Sequence, residues 1–379
     1  MLLIPWYQKY MDSLTRYTKT LFITLLFLVS EHSLCNESAP IKLGMSIALS
    51  GPAQEIGKQL HAGAMLHFNR VNQQGGIKDR VIQLIVRDDG YEPNRTVHNT
   101  RFFIYEQNVD ALFGFMGTPT TSAIRPLLEH SKTPLLMPFT GADFLHHVGN
   151  YHIFNLRASY QDEANEQIKY LVKEQGHQKI ALLIQADEFG ITLEKSLTKA
   201  LAQQSLQPTV ISRFRRNTND VEKAHAQINT TKATAVIMIG TYEPLAKFVK
   251  LATNNQQNLE FTSVSFVSSK ALFARIKPEQ TIMVTEVVPN PILCQAKLCE
   301  QFRRLVQRET NLKIDHILFE GYLNALVFSR AAQQCAAQYS QQCLLRKLPW
   351  VLEHDSDLKA LFKLSDHQKK LPVYRSYSS

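Results

Sequence analysis

Two successive runs of alternating strand-like and helix-like segments restrict this chain more than any other feature. From Ile41, residues Leu43, Met45 and Ile47 alternate with small or polar neighbours as a first strand. Ser50-Gly51-Pro52 turns the chain, and Ile56, Leu60, Ala64, Phe68 and Val71 then recur at the spacing of an amphipathic helix. Gly75-Gly76 closes it, because glycine readily takes the left-handed cap. Further strands are predicted over residues 81–86, 111–115 and 135–137. The pattern restarts after about residue 157, with a helix over 162–174 and strands over 180–184, 209–212, 235–239, 261–267 and 282–285. Ile180-Ala181-Leu182-Leu183-Ile184 is apolar on both faces, the mark of a strand buried between helix layers.

Strands alternating with helices predict parallel sheets, and two such series predict an α/β chain of two doubly wound lobes. The 379 residues suit two cores better than one. No low-complexity linker separates the series, so multiple hinge crossings are expected. The boundaries read as lobe 1 over 41–157 plus about 287–335, and lobe 2 over 158–286 plus a C-terminal segment of about 336–379. The last residues, from Lys369 to Ser379, carry no interpretable pattern.

The first 35 residues read as a signal peptide. Lys9, Arg16 and Lys19 precede an apolar run over 21–29, followed by Ser30, Ser33 and Cys35. The run falls short of the roughly 20 residues that span a bilayer. Export to the periplasm is expected. Lipid attachment at Cys35 is the less favoured alternative, because His32-Ser33-Leu34 is a poor context for it. Four cysteines follow, in two close pairs, and an even count in an exported chain points to disulfides. Three connectivities are possible. Cys294–Cys299 with Cys335–Cys343 is favoured, since each closes a short polar loop. Neither pair has the spacing of a zinc site. The net charge of +9 is scattered, with the densest cluster at Arg213, Arg215 and Arg216. There is no base-reading helix, so no nucleic-acid partner is expected.

In open parallel sheets a ligand lies beyond the carboxyl ends of the strands. Those positions hold Ser50-Gly51-Pro52, then Met116-Gly117-Thr118, then Phe139-Thr140-Gly141, and in the second series Asp187-Glu188-Phe189-Gly190 and Gly240-Thr241-Tyr242. Hydroxyls and turn N–H groups suit carboxylate or carbonyl oxygens, and Phe189 and Tyr242 offer apolar walls from the other lobe. Enzyme signatures are missing: there is no G-x-S-x-G elbow, no P-loop and no H-E-x-x-H. His146-His147 reads as a surface pair rather than a metal site, and Asp88-Asp89 as turn caps rather than magnesium ligands. No cofactor is expected.

The chain resembles the periplasmic substrate-binding proteins of the leucine/isoleucine/valine-binding type, which feed ABC importers. The carriers are Leu49-Ser50-Gly51-Pro52, Asn72-Gln73-Gln74-Gly75-Gly76-Ile77, Asp88-Asp89, Phe113-Gly114, Phe154-Asn155-Leu156-Arg157, Phe189-Gly190 and Phe319-Glu320-Gly321-Tyr322, in order over most of the chain. The resemblance implies a monomeric, non-enzymatic protein that captures a small polar or amphipathic molecule, amino-acid-like or related, between its lobes. It implies delivery to an ABC permease in the inner membrane, with signalling to a membrane receptor as the alternative. By position it implies that Thr118 and Thr140 or Gly141 hold the ligand carboxylate or its substitute, and the strand-end placement adds Ser50, Met116, Gly117 and Phe139 from the same lobe. Phe189, Tyr242 and Ser265 are placed against it from the other. Ser265 stands where branched-chain binders carry a glutamate for the ligand ammonium. A hydroxyl cannot neutralise a buried cation. Asp162, Glu163, Asp187 and Glu243 are candidates for that role, and a ligand other than a plain branched-chain amino acid is expected.

Overall fold

Aliphatic and β-branched runs build two sheets. The computed structural model describes residues 39–146, 152–255, 258–277, 279–309, 311–365 and 370–378. The expected signal peptide, Cys35 and His147 lie outside the described residues. The first sheet holds β1 (Ile41–Ile47), β2 (Ile82–Asp88), β3 (Ala111–Phe113), β4 (Leu135–Leu136) and β5 (Ile153–Phe154). All pair in parallel, in the order β2-β1-β3-β4-β5. Its helices are α1 (Gln54–Gln73), α2 (Pro93–Arg101), α3 (Thr118–Ala123) and α4 (Arg125–Ser131).

The second sheet holds β6 (Ile180–Gln185), β7 (Ile211–Phe214), β8 (Ala235–Ile239), β9 (Glu260–Ser263), β10 (Ile282–Glu286) and β11 (Tyr374–Tyr377), in the order β11-β10-β9-β8-β6-β7. Only the pairing of β11 with β10 is antiparallel among these described strands. Every residue of β6 and β8 is buried, as two helix-covered faces require. The helices around this sheet are α5 (Tyr160–Ile168), α6 (Glu188–Ala202), α7 (Glu222–Asn229), α8 (Tyr242–Asn254) and α9 (Ser269–Phe273). The architecture is therefore two-lobed α/β.

Four C-terminal helices follow β10: α10 (Lys297–Glu309), α11 (His316–Gln334), α12 (Gln341–His354) and α13 (Ser356–Phe362). Leu344, Leu348, Val351, Leu358, Leu361 and Phe362 from α12 and α13 share one core with α1, α10 and α11. This corrects the expectation that the segment from about 336 onward belongs to lobe 2. Residues 341–362 pack on lobe 1, and what reaches lobe 2 is β11. The chain thus passes between the lobes three times: after β5, after β10, and between α13 and β11. Helix α1 lies so close to α11 that a Cβ on Gly63 would stand 2.0 Å from the Leu318 carbonyl oxygen.

Several boundaries shift by a few residues, and at two of them the kind of element changes. The helix expected over 162–174 is α-helical only to Ile168 and continues as a π-helical segment, Lys169–Glu174. The strand expected over 261–267 stops at Ser263, and a 3₁₀ turn, Ser265–Val267, follows it. Ser268, at φ 64°, turns the chain into α9 there, which no continuing strand permits. The cysteines pair as Cys294–Cys299 and Cys335–Cys343.

Candidate functional site

The carboxyl ends of both sheets face each other, and their side chains meet. Gly117 precedes α3 at φ 100°, and a Cβ there would stand 2.3 Å from the ring of Tyr91. Only glycine lets that ring lie against the turn. Thr118 Oγ1 and Thr140 Oγ1 share a hydrogen bond of 2.8 Å, and Thr140 Oγ1 also donates to Tyr160 Oη at 3.2 Å. Met116 forms a parallel bridge with Phe139, and the Gly141 carbonyl accepts Tyr160 N–H at 2.7 Å. The turns after β3 and β4 are thereby locked to each other and to the start of α5.

From lobe 2, Phe266 enters between these groups. Its ring centroid lies 4.7 Å from Phe189, 5.5 Å from Phe139 and 5.7 Å from Tyr91, while Tyr160 and Phe189 are 5.6 Å apart. All five rings are buried, so the lobes are closed on one another. Polar contacts frame the closure. Arg275 Nη2 meets Glu55 at 2.5 Å and its Nε meets Glu243 at 2.8 Å. Arg216 and Asn217 each meet Glu92 at 2.6 Å. Tyr242 Oη accepts the Glu55 N–H at 3.4 Å, and Arg275 lies over the Tyr242 ring at 4.5 Å.

Not every expected residue joins this assembly. Ser50 is exposed at the end of the turn after β1, where its Oγ donates to Asp88 at 2.6 Å. Partial burial pushes the Asp88 carboxyl up. The Ser50 hydroxyl, the Leu49 and Gly90 N–H groups and Arg95 outweigh that and hold it at about 2. Asp89 accepts from Ser46, Thr96 and the Tyr91 N–H. Both acids are bonded to neighbouring groups of lobe 1. Among the described residues no group of three or more His, Cys, Asp or Glu is placed to hold a metal.

Ser265 sits beneath the rings as the hub of a buried polar cluster. Its N–H and Oγ donate to Glu163 at 2.8 and 2.9 Å, and Thr285 Oγ1 donates to the same carboxylate at 2.6 Å. Arg157 donates to Ser265 Oγ through Nη2, and to both Glu320 oxygens through Nη1 at 3.0 Å. Its guanidinium lies 4.2 Å from the centre of the Phe139 ring. A carboxylate therefore does stand beside Ser265, supplied by α5 rather than by the residue itself. Burial pushes Glu163 up despite Arg157 and its hydrogen bonds, and pushes Glu320 up to about 7 against the pull of Arg157. The other suggested acids lie apart from this hub. Asp187 caps α6, with burial raising it to about 6. Asp162 pairs with Lys370, and Glu243 with Arg275.

Two buried polar atoms approach across the lobes without a completed bond: Tyr91 Oη and Gln185 Oε1. Burial raises the Tyr91 phenol well above its ordinary range against the pull of nearby Gln185, and neither atom completes a hydrogen bond. Sequence reasoning missed Tyr91, Tyr160, Phe266 and the Arg157–Glu320 pair. Arg157 and Glu320 each fall in a motif that carried the family resemblance, which was the one available signal. A cavity of about 620 Å³ lies elsewhere, beside the first crossing, lined in part by Asn155, Arg157, Asp162, Leu352, Leu364 and Lys370.

Comparison with known proteins bears on the family and the fold. The family model described as periplasmic binding protein matches residues 40–369. The Leu/Ile/Val-binding protein homolog 7 of Brucella abortus is 22% identical over 223 residues, 57% of this chain. The chain spans about half the length of that relative, 56%. A solved structure of a possible leucine/isoleucine/valine-binding protein from Rhodopirellula baltica superposes with a TM-score of 0.82. It is 29% identical over 89% of this chain and 94% of that one. A branched-chain amino acid ABC transporter protein from Thermus thermophilus with bound valine shares the fold, with a TM-score of 0.75, 15% identity and 85% of each chain covered.

Proposed function

The chain belongs to the periplasmic binding protein family, a non-enzymatic family of extracytoplasmic solute carriers. From that premise we propose that it captures a small amphipathic molecule, amino-acid-like or related, between its lobes and delivers it to an ABC permease of the inner membrane. The observation that carries this reading is the meeting of hydroxyls and aromatic rings from both strand-end faces around Phe266. An amphipathic ligand needs that combination: flat apolar surface for its body and a few fixed polar groups for its head. Tyr91 Oη and Gln185 Oε1 are the spare donor and acceptor, since a buried polar atom without a partner is costly and a ligand head relieves it.

The ligand enters an opened cleft, displaces the contacts of Phe266 and is enclosed again when Arg275–Glu55 and Arg216–Glu92 re-form. Glu163, already at Ser265, stands in for the acid that branched-chain binders place there. Because it is shared with Ser265, Thr285 and the neighbouring Arg157, the reading favours a ligand other than a plain branched-chain amino acid. The expected export through residues 1–35 completes the reading with a periplasmic site of action.

A thermal-shift screen against amino acids, amides, and aliphatic and aromatic acids tests it. A true ligand at about 100 times its Kd stabilises the fold by about 2.7 kcal/mol. The effect should vanish in Thr118→Val/Thr140→Val. A panel of these classes with no stabilising member sinks the reading, and a shift that survives the double variant moves the site out of this cleft.

A further inference from the structure

The lobes close over an unbalanced set of charges. Arg157 lies in the first crossing, Glu163 on α5 of lobe 2, Glu286 at the end of β10 where the second crossing begins, and Glu320 on α11 of lobe 1. All four are buried, and among the described residues Arg157 is the one buried lysine or arginine. It donates to both oxygens of Glu320 and to Ser265 Oγ, which donates in turn to Glu163. Glu286 has a different neighbour. Its Oε1 stands 3.3 Å from His316 Nδ1, without hydrogen-bond geometry, and His316 Nε2 stands 3.4 Å from Ser376 Oγ of β11. Tyr160 is the other titratable group acting on Arg157, beside the three acids.

Three carboxylates and one guanidinium cannot all be ionised in a space closed to water. Two negative charges would be left without a counter-charge, and a buried acid in that position binds a proton instead. His316 does not supply the missing charge, because burial holds its ring down to about 4. Burial pushes Glu163 and Glu286 up, as it pushes Glu320 up to about 7. The three acids interact, so the retained protons belong to the set rather than to one residue.

The place of this set makes it a property of the hinge. The Arg157 guanidinium lies 4.2 Å from the Phe139 ring of lobe 1, and that ring is 5.5 Å from Phe266 of lobe 2, the neighbour of Ser265 in the turn Ser265–Val267. When the lobes part, Phe266 leaves Phe139 and water reaches the carboxylates. Hydration favours their charged form, so the acids ionise more readily in the open state. We propose that the lobe junction couples closure to proton uptake: Glu163, Glu286 and Glu320 bind protons from solvent as the cleft shuts and release them as it opens. Such coupling needs lobes that part, and so rests on the cleft reading above, but it needs no ligand. An acid whose pKa is higher in the closed form favours closure at low pH and stops doing so as pH rises through that value. For Glu320 the window runs from 4.5 to about 7. Within it the closed-to-open ratio falls about tenfold per pH unit for each proton released.

Single-molecule energy transfer tests this on the full chain with its disulfides intact. Dyes on Lys58→Cys in α1 and Lys223→Cys in α7, both exposed and outside the set, read the open and closed populations without ligand. Between about pH 5 and about pH 8 the closed-to-open ratio should fall at least tenfold. Glu286→Gln/Glu320→Gln imitates the protonated acids in shape and charge, and it should hold the cleft closed at the higher pH and flatten the profile. Glu320→Gln alone should lower the slope, which keeps the test valid where the double variant fails to fold. An opening equilibrium that ignores pH overturns the coupling and leaves the cleft reading standing, and so do glutamine variants that keep the parent's slope. Opening on acidification also overturns it, because that is the sign of a histidine held neutral in the closed form, here His316. Lobes that stay closed at every pH would overturn both the coupling and the cleft reading.

Discussion

Replacing Arg157 with glutamine tests how the lobe junction is held together. Arg157 is a buried cation among three buried carboxylates, Glu163, Glu286 and Glu320, and it makes two 3.0 Å hydrogen bonds to Glu320. At that distance and an effective dielectric constant of about 20, the direct attraction is about 5 kcal/mol. Desolvation cancels most of it, so the pair itself adds little. Removing only the cation leaves the acids uncompensated, which typically costs about 3–5 kcal/mol. The Ser265 hydroxyl loses a donor in the same step. The loss must also depend on pH. Glu320 already titrates near 7, above its ordinary 4.5, because burial disfavours its charge. Without Arg157 it rises further. Between these values the folded state holds the proton and the unfolded state does not, so stability falls as pH rises. Urea denaturation should therefore show Arg157→Gln about 3–5 kcal/mol less stable at pH 8, with a much smaller deficit near pH 5. Arg157→Met/Glu320→Met should recover at least half of the loss, because it removes both charges. A deficit below about 1 kcal/mol at pH 8, the level of an exposed pair, would refute the argument. So would a deficit independent of pH.

Other expectations follow from neighbouring features. Tyr242→Ala removes the hydrogen bond to the Glu55 N–H and the ring beneath Arg275. Ligand affinity measured by calorimetry should fall by more than about 1 kcal/mol, and unchanged affinity would remove Tyr242 from the closure. Cys335→Ser/Cys343→Ser opens a short loop, and chain entropy puts the cost at about 2.5 kcal/mol, read as a lower denaturation midpoint. A thiol assay on the parent should find no free cysteine among Cys294, Cys299, Cys335 and Cys343. Burial holds His67 down to about 3, and its ring nitrogens have no hydrogen-bond partner between α1 and α11. The unfolded state binds that proton more readily, so stability falls as pH drops from about 6.5 toward 3. His67→Leu should flatten that limb and raise the melting temperature at pH 5; an unchanged acid limb would place the titration elsewhere.

The fold was legible where burial was two-sided or strictly periodic. The strands β6 and β8 are apolar on both faces, and α1 repeats its stripe for five turns. The short edges were not legible. Strand β5 has two residues and no period to detect, and β11, Tyr374–Tyr377, is half-polar because it lies on an edge. The apolar letters of Val264, Phe266 and Val267 imitate a continuing strand, yet they enter a 3₁₀ turn whose purpose is tertiary. Strand-end logic located Gly117, Thr118, Phe139, Thr140 and Phe189, which do come together. It could not identify Tyr91 or Phe266, whose contact with each other exists only once the two lobes have closed. The partners Arg157 and Glu320 are 163 residues apart, and no local pattern joins them. The C-terminal helices went to the wrong lobe because their apolar stripes state that they pack, not on what.

The return of β11 to lobe 2 sets the order in which this molecule can be finished. The edge of β10 is covered by residues 374–377, a few positions from the end of the chain. Until those residues are in place, lobe 2 carries an unpaired strand edge, the kind of surface on which chains aggregate. Lobe 1 is likewise incomplete until α12 and α13 arrive, although its first strand is made more than 300 residues earlier. The two lobes therefore cannot mature one after the other during synthesis. Each is completed only by residues beyond 340.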